Sequence, residues 1–158
     1  MKMEKYTISD LIPQRPPMQL ITAIESLDLE KQTLVARVDV TTGDLMYDAA
    51  LGGVPSWVSL EYMAQAIACF IGANDLASAP DAEPVIGFVL GSRKLSVNIP
   101  AYLAGQSYYI DIVSSFCDKN IANFECQIYN QDKQVVASGA VNVFRPDDIH
   151  KFMDERHE

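Results

Sequence analysis

Hydrophobic and polar positions alternate with a period of two along six stretches of the chain and recur at three-and-four spacing along one. The helical stretch is the segment from Gly52 to Gly72, where Trp57, Leu60, Ala64, Ile67, Ala68 and Ile71 fall on one face. Pro55 suits a first helical position, and Gly52 and Gly53 free the entry to it. Gly72, followed by Asn74, offers a C-terminal stop, and the pattern allows the helix to run on to Leu76.

The strands predicted by alternation are 18–25, 33–42, 85–99, 106–116, 121–129 and 134–144. In the second, Leu34, Ala36, Val38 and Val40 oppose Val35, Arg37 and Asp39. In the fourth, Tyr108, Ile110 and Ile112 oppose Tyr109 and Asp111. Gly87 and Gly91 mark bulges or close backbone approach in the third. Residues 6–10 suggest one helical turn, and Ile12 to Met18 an ordered, extended connector, since its three prolines forbid regular structure. Residues 41–53, 77–84, 100–105, 118–120 and 130–133 read as loops and turns. Two strands, one helix and four strands predict an α+β fold, an antiparallel sheet of about six strands wrapped round the helix. Such a sheet leaves exposed edges, so a dimer or larger assembly is expected.

Composition narrows the picture. At 158 residues the chain is expected to form a single domain, 1–158, with a core of about 10–144 and a polar tail over 146–158. No apolar run reaches membrane-spanning length, and no apolar segment follows the charged start, so a cytoplasmic protein is expected. Cys69, Cys117 and Cys126 fit reduced thiols and no zinc motif; no metal or cofactor is expected. A net charge of −9 argues against nucleic acid and anionic membranes as partners.

One residue breaks the helical pattern. Glu61 sits inside the apolar stripe, between Leu60 and Ala64. A lone buried carboxylate costs several kcal/mol unless it is paired, hydrogen-bonded or protonated. Either rotation tips Glu61 to a solvated rim, or it lines an internal cavity and does acid/base work there. Gln65, one turn on, lies on the same side, able to bond Glu61 or a substrate, or simply to face solvent.

Several stretches resemble the acyl-thioester dehydratase branch of the hotdog fold, the 3-hydroxyacyl-acyl-carrier-protein dehydratases. Ile12 to Met18 is similar to their N-terminal L-P-H-R-x-P stretch, and Glu61, Ala64 and Gln65 match E-x-x-A-Q on their central helix. Gly87, Arg93 and Lys94, with the Pro100 to Gly105 turn, resemble the strand and turn that follow. The segment Gly53 to Ala68 looks most like the variant dehydratases of aryl polyene-type fatty-acyl pathways. The likeness is scattered over about residues 10–144 and is most specific in the helix.

The resemblance implies that Glu61 assists loss of a β-hydroxyl as water, and that the Ser56 N–H at the helix start polarises the thioester carbonyl. It also implies a loop histidine that removes the α-proton. That position falls on Tyr47, with Asp48 adjacent; Gln14 replaces the histidine of L-P-H-R, and the first histidine is His150. Neither a phenol nor an aspartate carboxyl ordinarily has the near-neutral pKa that such a base needs.

Three functions remain open at this point: dehydration of a 3-hydroxyacyl thioester with Glu61, assisted by Gln65 and by Tyr47 or Asp48; thioester hydrolysis by the helix carboxylate; or a non-catalytic subunit completing a mixed assembly with a homologue. The first two require an apolar cavity ending at Glu61, with Trp57, Met63, Phe88 and Leu90 as expected walls, although each of these would equally serve plain core packing. The partner would be an acyl chain on acyl carrier protein or coenzyme A. Arg93 and Lys94, then Arg15, are the expected carrier contacts.

Overall fold

In chain order the strands are β1 (Ala23–Asp28), β2 (Thr33–Asp39), β3 (Gly53–Pro55), β4 (Phe88–Val97), β5 (Ala101–Leu103), β6 (Ser107–Asp118), β7 (Ile121–Tyr129) and β8 (Val135–Phe144). The helices are α1 (Ile8–Leu11) and α2 (Ser59–Ser78). The computed structural model describes residues 6–84, 87–118 and 120–146, together with all side chains among these except that of Cys117. Six strands form one antiparallel sheet in the order β1-β2-β6-β7-β8-β4, and β3 pairs with β5 alone. Helix α2 lies against β2, β6, β7 and β8. This is the wrapped-helix arrangement expected from the pattern.

Alternation sets which side chains meet the helix. Leu34, Ala36 and Val38 of β2, Ile110 and Ile112 of β6, and Ala122, Phe124, Cys126 and Ile128 of β7 are all buried. They pack with Tyr62, Met63, Ala66, Ile67, Cys69, Phe70 and Ala73 of α2. The edge strand β4 has no buried residue, and its register slips between Val89 and Gly91 and again between Arg93 and Ser96. Among the described strands, β4 pairs only with β8.

The structure corrects the sequence reading in four places. The first strand begins at Ala23, not Met18, because backbone groups of Met18 and Leu20 bond to the Gln65 side chain instead of to a neighbouring strand. The turn after Pro100 contains β5, paired with Gly53–Pro55. Pro55 therefore ends a strand; a 3-10 turn over Ser56–Val58 intervenes before α2. Gly72 does not stop the helix, which continues to Ser78. A Cβ on Gly72 would lie 2.0 Å from the Leu11 carbonyl oxygen, so glycine is there to let α1 pack close. Val85, Ile86, Lys119 and the expected tail beyond Pro146 lie outside the described residues.

The fourth correction concerns the helix face. Apart from Ile67, the stripe read as buried is the half-exposed side: Leu60, Glu61, Ala64, Ala68 and Ile71 are intermediate, and Trp57 is 69% exposed. Helix α2 is apolar nearly all round, so three-and-four spacing alone does not single out the core face.

Candidate functional site

The half-exposed face of α2 lines a groove of about 260 Å³. Glu61, Ala64, Ala68, Ile71 and Asp75 follow one another at three-and-four spacing along its floor. Its walls come from Leu11 of α1, Pro13 and Gln14 of the connector, Phe88 and Val89 of β4, and Val143, Phe144 and Arg145 at the end of β8. Small side chains at 64 and 68 keep the floor low. At a rise of about 1.5 Å per residue, Glu61 and Asp75 stand about 21 Å apart along the helix.

Glu61 is half-buried, and its Oε1 accepts a hydrogen bond of 2.9 Å from Gln65 Nε2. Gln65 is fully buried. Its Oε1 accepts from the Leu20 N–H at 2.8 Å, and its Nε2 also donates to the Met18 carbonyl at 2.8 Å. An N–H can only donate, while a carbonyl and a carboxylate both accept, so these partners fix which way the amide points. Gln65 thus ties the proline-rich connector to the helix and holds the Glu61 carboxylate in one place. Gln14 also lines the groove, and among the described residues its buried Oε1 has no hydrogen-bond partner.

The turn before the helix is anchored from below. Ser59 Oγ donates to the Ser56 carbonyl at 2.6 Å and lies 2.5 Å from the Tyr102 hydroxyl. Tyr102 stacks edge-on with both Tyr62 and Tyr108. Burial pushes the Tyr102 phenol up to about 12, against the opposing effect of the Ser59 hydroxyl. Tyr102 thus stays a neutral phenol, and its contacts hold the start of the helix.

The remaining residues singled out from sequence are dispersed. The Ser56 N–H is taken: it donates to the Pro100 carbonyl at 3.1 Å, continuing the β3–β5 pairing, and so is not available to a thioester. The next amide, that of Trp57, falls in the first turn, where an N–H lacks an intrahelical acceptor, while the Val58 N–H is used within the 3-10 turn. Tyr47 is half-buried in the 41–53 loop, and the Asp48 carboxylate turns back on the Ala50 N–H at 2.9 Å; neither lines the groove. Of the four expected walls, Phe88 lines it, Met63 is buried in the core, and Trp57 and Leu90 are exposed at 69% and 59%.

None of the three basic residues lines the groove. Arg93 is exposed on β4, and Lys94 borders a shallow depression on the outer face of the sheet with Asp111 and Glu125. Arg15 folds back on its own connector, its Nη1 donating to the carbonyls of Ile12, Pro13 and Gln14. His150 and His157 lie outside the described residues. Sequence reasoning passed over Asp75 and Arg145, which join at 2.6 Å at the far end of the groove. Asp75 was within reach, because it extends the series 61, 64, 68, 71 by one more turn.

A family model described as ApeP-like, ApeP dehydratase, matches residues 6–154. Among solved structures, the dehydratase heterocomplex ApeI:P from Xenorhabdus doucetiae aligns with a TM-score of 0.86 at 21% identity, over 97% of this chain and 99% of that one. The PaaI protein of the E. coli phenylacetic acid degradation operon aligns with a TM-score of 0.58 at 16% identity, covering 77% and 81%. A hypothetical thioesterase from Streptococcus pneumoniae, solved with coenzyme A, aligns at 0.57 and 14%, covering 78% and 84%. These structural likenesses fix the fold as hotdog, while the family model carries the kinship.

Proposed function

Because the chain belongs to the ApeP-like dehydratase family, we propose that it removes water from a 3-hydroxyacyl thioester with Glu61 as the acid at the β-carbon. The observation that carries this is the Glu61 carboxylate, fixed by Gln65 at one end of an apolar groove. In this reading the α-proton passes to a base and the C–OH bond at the β-carbon breaks. The hydroxyl leaves as water with a proton from Glu61, and the α–β double bond forms.

The order of groups along α2 supports the pose. The first-turn amide of Trp57 comes first, then Glu61, then an apolar floor. A thioester substrate presents its carbonyl, its β-hydroxyl and its tail in the same order. The amide and the dipole of the helix start favour a developing enolate oxygen.

The base is proposed to come from a homologous subunit. Neither Tyr47 nor Asp48 lines the groove, and Gln14 stands where the resemblance expects a histidine. That one solved relative is a heterocomplex supports a mixed assembly here too. The substrate rides on an acyl carrier protein or coenzyme A.

The test is incubation with 3-hydroxyacyl thioesters, alone and with a homologous dehydratase subunit carrying the histidine. Enoyl thioester is expected with the mixture, reduced about 10²–10⁴-fold by Glu61→Gln on this chain. Undiminished activity of Glu61→Gln would remove the acid from its role. Release of free thiol without enoyl product would make the chain a thioesterase instead.

A further inference from the structure

A second cavity, of about 100 Å³, lies beyond the far end of the Glu61 groove, with Phe70, Ile121 and Phe124 in its wall beside the polar Gln32, Asn74 and Ser114. Four residues line both spaces: Ile71, Asp75, Val143 and Arg145. Between the cavities stands the ion pair of Arg145 Nη1 and Asp75 Oδ2 at 2.6 Å. Its cation is anchored through the backbone: the Arg145 N–H donates to the Asn120 carbonyl at 2.8 Å, and Asn120 Nδ2 donates to the Arg145 carbonyl at 2.7 Å.

We infer that the Asp75–Arg145 pair, with Ile71 and Val143, is a partition that sets the longest acyl chain the groove accepts. An apolar tail running down the floor from Glu61 gains burial with each methylene until it meets two charged groups. To go further it must part them or strip their water, and neither is repaid by contact with a methylene. Removing the pair would join the cavities and add about 100 Å³. A methylene is about as large as a water, whose share of liquid volume is about 30 Å³, so that is room for roughly three more carbons. The direction of the tail rests on the function proposed above, but the partition itself does not.

The test is calorimetric titration of the full chain with saturated acyl-pantetheine thioesters of increasing length, which bind without needing turnover. For the parent protein, affinity should rise up to about fourfold per methylene and then level off. In Asp75→Ala/Arg145→Ala the plateau should move to chains roughly three carbons longer. The pair is partly solvated, with side chains 35% and 23% exposed, so its loss should leave the fold standing. Ile71→Phe, which leaves the pair in place and fills the shared wall, should move the plateau the other way.

Identical plateaus in the parent and either variant would overturn the partition. A plateau that shifts in a protein that never forms enoyl product, even with its homologue, would leave the partition standing and remove the dehydratase reading. Dehydration with an unmoved plateau would do the reverse.

Discussion

Replacing Gln65 tests the central feature of the site. Gln65→Leu keeps a side chain of similar bulk in a fully buried position but deletes three hydrogen bonds, to Leu20, Met18 and Glu61. A buried polar group left without a partner costs about 1–3 kcal/mol. Met18 is 44% exposed, so water can take over its carbonyl, while the Leu20 N–H in its half-buried setting bears most of the loss. The expected destabilisation is about 2 kcal/mol, or about 4–8 °C in Tm for a chain of this size. Thermal and urea unfolding followed by circular dichroism would measure it, with an unchanged m-value showing that only the native state was touched.

Gln65→Glu sharpens the test because it preserves shape and changes one atom. The oxygen that still accepts from Leu20 is kept, but the donor facing Met18 and Glu61 becomes an acceptor. At neutral pH a second carboxylate then sits against the first, so the introduced group has its pKa raised above its unfolded value of about 4.3. A raised folded pKa gives stability that is present below the unfolded value and is lost as pH rises through the folded one. The deficit of Gln65→Glu should therefore be largest at pH 7, exceed that of Gln65→Leu there, and shrink toward pH 4. A Gln65→Leu protein as stable as its parent, or a Gln65→Glu deficit flat between pH 4 and 7, would refute the clamp.

Three further outcomes are expected. Gly72→Ala places a Cβ 2.0 Å from the Leu11 carbonyl oxygen, a backbone atom that cannot swing away, so a loss of about 1–3 kcal/mol should appear in urea unfolding. Cys69 and Cys126 are free and buried, and burial pushes both thiols up to about 12. Residue-resolved alkylation at pH 8 should leave both unlabelled in the native protein and labelled once urea is added, and rapid native labelling of Cys69 would contradict its burial. Burial raises the Asp111 carboxyl, so its contribution to stability is lost as pH rises through its folded pKa. Asp111→Asn should thus gain stability at pH 7, by about 0.5 kcal/mol or less given its solvent exposure, and none at pH 3.

How much of this was legible in the sequence depends on which contacts decided each element. Alternation in β2 and β7 is clean because one side meets the helix and the other meets water, so those strands fall where the pattern puts them. The start of β1 was not legible, because the Met18–Leu20 backbone is bonded by a side chain 45 residues away in the case of Leu20. The extension of α2 through Gly72 depends on α1 packing against it, and no local signal reports that. For the site, Glu61 and Gln65 stood out as polar residues in an apolar helix. Arg145 did not, since only the pairing of β8 with β7 and the turn at Asn120 bring it beside Asp75.

The misassigned helix face bears on function. Two sides of α2 are apolar for different reasons: one meets the sheet, the other floors a groove. The groove side is built small, with Ala64 and Ala68 where a core-seeking helix would place leucine. Fully burying a leucine stabilises a fold by roughly 1.5–3 kcal/mol, so stability alone would favour filling positions 64 and 68. A helix that instead keeps a channel open along the line from Glu61 to Asp75 gives up that packing, and the acyl chain of the proposed reaction would fill the space. The same reasoning explains why Glu61 tolerates its position. Gln65 donates to one oxygen, and the groove leaves the carboxylate half-exposed, so water can solvate the rest of it.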